Sequence, residues 1–88
     1  MRFIYSGKLQ MPTIFTEEGF KFFFYSNEHR PIHVHVSHGG GEAVFEIGDG
    51  VALLKSHGMS IQNLSKAERI AVLKLELIKE KWNVFFNG

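Results

Sequence analysis

The sequence predicts an α+β domain: an antiparallel meander of four or five β-strands packed on one face by a long C-terminal α-helix. Two observations carry that expectation. Apolar and polar residues alternate over residues 32–37 and again over 42–47, the period of a half-buried strand. Apolar residues then recur at helical spacing from Lys66 onward, and nothing up to Phe86 breaks a helix.

The elements follow in order. Residues 13–16 are β-prone, and Glu17, Glu18 and Gly19 supply a turn. Residues 20–25 form a dense aromatic strand. Residues 26–31 are a polar loop ended by proline. His38 and the three glycines Gly39, Gly40 and Gly41 turn the chain between the two alternating strands. Gly48, Asp49 and Gly50 turn it again, and residues 51–54 are the candidate fifth strand. His57 then falls in a loop before the helix and carries no recognisable motif. Residues 60–64 read as a short lead-in turn. Ser65-Lys66-Ala67-Glu68 fits a capping box, in which the serine accepts from the third helical N–H and the glutamate reaches back.

Rotating the helix by about 100° per residue separates two apolar stripes. Ile70, Leu73, Leu77 and Val84 form one; Ala71, Leu75, Ile78, Trp82 and Phe85 form the other. The combined arc is wider than one sheet face requires. The plain account is a well-buried helix whose Lys74 and Lys81 snorkel. The sharper account assigns the second stripe to the core and Ile70, Leu73, Leu77 and Val84 to a partner chain.

The 88 residues amount to one small domain. Residues 1–10 read as an N-terminal extension or a short extra strand, with residues 3–5 its β-prone part, and residues 11–88 as the α+β domain. With no cysteine, a disulfide scaffold, a thiolate zinc site and a thiol nucleophile are excluded, so a metal would need histidine and carboxylate ligands. A net charge of +1 argues against bulk electrostatic attachment to nucleic acid. No apolar run approaches the ~20 residues of a membrane span, and the N-terminus lacks a secretory h-region, so the expected location is cytoplasmic, with no membrane partner.

Four of the five histidines lie between His29 and His38. If Ser37 and Glu42 close a hairpin, Val36 faces Ala43, Val34 faces Phe45 and Ile32 faces Ile47 on one side. His35 then faces Val44 and His33 faces Glu46 on the other. A slip by one residue would mix the two sets. Phe20, Phe22 and Phe24 are assigned to the core, because the shifted phase would bury Lys21. Lys21, Phe23 and Tyr25 then share the histidine face with Glu42 and Glu46, and the adjoining loop supplies Glu28, His29 and Arg30.

Three chemistries suit this face. His33 and His35 with the cross-strand Glu46 resemble a two-histidine, one-carboxylate metal site, although no cofactor is the leading expectation. Metal-free acid–base cleavage of RNA would use His33, His35 and Glu46 as proton-transfer groups with Arg30 on a phosphate. Plain binding would use Lys21, Tyr25, His29 and Glu42, with RNA a candidate ligand through Phe23 and Tyr25 stacking. The run from His33 to His38 is close to the histidine-triad spacing of nucleotide hydrolases, but its third histidine comes one position late. The triple glycine lacks the lysine and hydroxyl residue of a phosphate loop.

Several segments resemble a bacterial family of small proteins, domain-of-unknown-function family 4160. They are Met11-Pro12-Thr13-Ile14-Phe15, Glu18-Gly19-Phe20, the run from Phe23 to His29, and Pro31-x-His33-Val34-His35-Val36. Gly41-Glu42-Ala43 and the helix reaching Trp82 are also similar. Members often start at the position of Met11 and carry two adjacent prolines before the first strand histidine, where this chain has Arg30-Pro31-Ile32. The resemblance implies no established activity. It implies a gene arrangement similar to toxin–antitoxin pairs, and so a binding module acting with a protein partner or as a homo-oligomer.

Overall fold

The computed structural model describes residues 12–86; the expectation for residues 1–10 lies outside them. Five strands run in chain order across one antiparallel sheet: β1 (Thr13–Glu17), β2 (Phe20–Phe23), β3 (His33–His38), β4 (Gly41–Ile47) and β5 (Val51–His57). Two helices, α1 (Ile61–Leu73) and α2 (Leu75–Phe86), follow. The α+β class and the antiparallel meander are as the patterning predicts.

The central register is the predicted one. Val36 pairs with Ala43, Val34 with Phe45, His35 with Val44 and His33 with Glu46. On the other side of β3, Phe22 pairs with Val36 and Phe23 with His35, so Phe23 shares the histidine face. The opposite face holds Phe20, Phe22, Phe24, Val34, Val36, Ala43, Phe45 and Ile47, all buried against the helices. β5 is longer than the sequence suggests and takes in His57, which pairs Glu42. The end of β5 is tied to the β3–β4 turn by a close backbone approach. A side chain on Gly41 would drive its Cβ into the Gly58 carbonyl.

The helical part departs from expectation at both its start and its middle. It begins at Ile61, not after Ser65: Ser60 is the extended N-cap, and its hydroxyl accepts from the Asn63 N–H at 3.1 Å. Ser65 is an exposed residue inside α1. The predicted single long helix is interrupted at Lys74, whose φ of −104° and ψ of 19° are not helical. Hydrogen bonding nearly continues, with Lys74 N–H on Ile70 O and Ile78 N–H on Lys74 O, each at 2.9 Å. A straight helix from Ile61 to Phe86 would span about 39 Å, whereas a seven-residue strand covers about 23 Å. Lys74 lies over the Phe15 ring and 3.6 Å from Glu17 of β1.

The packing also redraws the two predicted apolar stripes. Ile70, assigned from sequence to a partner surface, is 1% exposed and sits in the core with Ala67, Ala71, Ile78 and Trp82. Leu77 is half-buried, while Leu73 and Val84 are exposed. Phe85, expected in the core stripe, is exposed as well. The buried set keeps the i, i+3, i+4 spacing of a single face across the bend. This assignment has a direct consequence for stability. Ile70→Ala should cost about 2–5 kcal/mol, the usual range for emptying a core site. Leu73→Ala should stay within about 0.5 kcal/mol. Urea unfolding of the two variants measures both.

A candidate histidine–carboxylate centre

The β2–β3 connection folds back over the histidine face instead of leaving it open. Phe24 N–H bonds Pro12 O at 3.1 Å, so the chain leaves the sheet only after Phe24. Tyr25 then turns over β3, with its ring edge-on to His35 at 4.4 Å and to Phe23 at 5.7 Å. Phe23 and His35 are consequently buried. Phe23 is therefore not an open stacking platform for bases, as one sequence reading required.

Glu28 is the loop residue that reaches the face. Its side chain is 5% exposed, and both carboxylate oxygens meet a strand histidine. Oε2 lies 2.8 Å from His35 Nε2 and also accepts the Tyr25 N–H at 3.3 Å. Oε1 is buried in ion-pair contact with His33 Nε2. One ligand-type atom from each of Glu28, His33 and His35 lies within 4.8 Å of the others.

The tautomer of His33 sharpens the electrostatics. Its Nδ1 donates to the Pro31 carbonyl at 2.8 Å, which places a proton on that nitrogen. A neutral ring would then turn the Nε2 lone pair toward the Glu28 carboxylate, two electron-rich groups in contact. The arrangement is attractive only with a positive centre between them, either a second ring proton or a metal ion. A backbone carbonyl on Nδ1 with Nε2 facing inward is also the usual support for a metal-ligating histidine. Trp82 holds the other side of the His33 ring, with centroids 5.6 Å apart. The residues thus suit a divalent transition ion bound by two imidazoles and one carboxylate, a set that leaves positions free for water or a ligand.

The other expected site residues fall elsewhere. Glu46 faces His33 across β4 but is not in the three-residue cluster; the carboxylate that completes it is Glu28. Arg30 turns away, its guanidinium donating to Asn83 Oδ1 of α2 at 3.3 Å, so no phosphate-steadying cation stands beside His33 by that route. His29 and Glu42 are exposed, and Lys21 lies over the Phe23 ring at 5.5 Å. Strand periodicity could not find Glu28, because loop residues have no face. The signal present was its spacing, Glu28 five positions before His33 and seven before His35.

The loop geometry is testable without any ligand. Glu28→Ala removes the acceptor of the Tyr25 N–H, and that amide should exchange about tenfold faster, the scale of one charge-assisted hydrogen bond. Glu46→Ala should leave it unchanged. Amide exchange followed by NMR reads both.

Comparison with known proteins gives a family. Residues 19–83 match the family described as Domain of unknown function (DUF4160). No curated protein and no solved structure matches the chain.

Proposed function

Because the chain belongs to the DUF4160 family, whose description carries no activity, we propose a function from the site itself: the protein binds a divalent transition-metal ion through Glu28, His33 and His35. The observation that supports this most is the buried Glu28 carboxylate, whose two oxygens each meet the Nε2 of a strand histidine, one of them with its proton held on Nδ1. Two histidines on one strand and a carboxylate on a loop make a three-ligand set, which is the pattern of reactive metal sites more than of closed structural ones. A bound ion would act as a Lewis acid or lower the pKa of a coordinated water. The chain's own part is to hold the ligands: Pro31 O fixes His33, Trp82 backs its ring, and Phe23 and Tyr25 enclose His35. The metal-free ribonuclease reading finds less support, since Arg30 is engaged with Asn83.

Metal uptake tests the proposal. Wild-type protein titrated with Zn²⁺ or Co²⁺ should take up about one ion per chain. Glu28→Ala and His35→Ala should each weaken uptake by about a hundredfold or more, at or beyond the range for losing a supporting residue. Glu46→Ala should retain it. No uptake, or equal loss in Glu46→Ala, defeats the assignment.

A second reading, a binding module in a toxin–antitoxin-like pair, is favoured by one observation. The helices leave Leu73 at 72% and Val84 at 64% exposure, the two residues of the predicted partner stripe that stay exposed. Leu73→Asp and Val84→Asp should leave the fold intact and abolish any self-association or hetero-complex seen by light scattering. A wild-type protein that stays monomeric in every partner screen excludes this reading.

A further inference from the structure

The two histidines of the centre are held unequally. His35 lies between the Phe23 ring, stacked at 5.4 Å, and the Tyr25 ring, edge-on at 4.4 Å. Both come from β2 and the connection that follows it, and they leave His35 buried. His33 is the first residue of β3, and 23% of its side chain stays exposed. Among the described residues, the rings against it are His35 and Trp82 of α2, each with its centroid 5.6 Å away.

Trp82 is itself fixed. It is buried in the core, where it packs on Phe24 at 5.3 Å and on Phe86 at 4.4 Å. The next residue, Asn83, accepts from the Arg30 guanidinium at 3.3 Å. Two consecutive residues of α2 thus hold the two ends of segment 30–33. The Pro31 carbonyl that orients the His33 ring lies within that segment.

This grip decides how much freedom His33 keeps before an ion arrives. An imidazole already held in its ligating orientation loses little rotamer freedom on coordination, whereas a loose one loses more. Groups that orient a metal-bound histidine from behind change affinity by about ten- to a hundredfold. Linkage makes the effect reciprocal: if a docked Trp82 favours the ion, the ion favours a docked Trp82 by the same factor. Trp82 and Asn83 belong to the end of α2, the part of a helix that frays first, and the same stretch presents Val84 and Phe85 to solvent.

We infer that Trp82 is the positioning residue of the metal centre, acting through the His33 ring, and that the ion in turn orders the end of α2. A helix that contributes no ligand therefore responds to the metal. The inference rests on the metal reading of Glu28, His33 and His35.

Zinc titration at a temperature where every variant is fully folded separates positioning from packing. Trp82→Phe keeps an aromatic ring among Phe24 and Phe86 but shortens its reach toward His33, and it should weaken zinc binding about tenfold. Ile78, fully buried one turn earlier on the same helix, is the control. Ile78→Val should lose stability and keep the zinc affinity of the wild type. Unchanged affinity in Trp82→Phe, or a loss that Ile78→Val matches, overturns the inference. In the wild type, zinc should slow amide exchange at Asn83, Val84, Phe85 and Phe86 about tenfold. These amides open locally, so a general gain in stability leaves their exchange unaltered. Exchange there that ignores zinc overturns the inference as well, and this measurement decides the matter if Trp82→Phe fails to fold. A wild type that takes up no zinc overturns the metal centre itself, and the role of Trp82 with it.

Discussion

A β-strand can send only alternate side chains to the same side, and the pairing of β3 with β4 turns that constraint into the architecture of this protein. With Val34 opposite Phe45 and Val36 opposite Ala43, the apolar residues of both strands fall on one face. His33, His35 and Glu46 are forced onto the other. Slipping either strand by one position would bury the imidazoles under the helices and expose the valines. β2 inherits the same phase, which gives one face to Phe20 and Phe22 and the other to Lys21 and Phe23. The core and the candidate site are thus two sides of one registration.

The site differs from a polar sheet surface because the β2–β3 loop closes on it. Loops ordinarily run over the surface, and a carboxylate taken out of water needs a partner. Glu28 finds two, one imidazole for each oxygen. In return the loop covers His35 and Phe23, and the Tyr25 amide finds its acceptor in the same carboxylate. Each group supports the others, so removing one leaves the rest buried and unpaired.

The two helices keep one face on the sheet across their interruption. Ala67, Ile70, Ala71, Ile78 and Trp82 stay in contact with the core across the interruption at Lys74. Leu73 and Val84 lie off that face and stay outside. Trp82 has a double role: it meets Phe24 edge-on in the core and packs against the His33 ring. Through it the second helix reaches the rim of the site, where Asn83 also receives Arg30. Tip contacts such as Arg69 with Glu18 at 3.9 Å join exposed side chains and add little.

The sequence by itself determined the fold class, the order and register of the central strands, and the face that carries His33 and His35. These follow from periodicity, which is a local property: whether two residues point the same way depends only on their separation along one element. It could not determine Glu28, because a loop residue has no period and its partners lie across a fold-back that only the assembled sheet defines. Nor could it separate Ile70 from Leu73 on the helix. Both stand on one apolar stripe within α1, and the way that helix packs on the sheet decided that Ile70 was buried and Leu73 exposed. The serine at position 65 carried a sound capping pattern, but Ser60 caps the helix earlier through its hydroxyl on the Asn63 N–H, and helix continuity favoured that start. Local pattern set each element's faces; the packing of one element on another chose which side chains would meet.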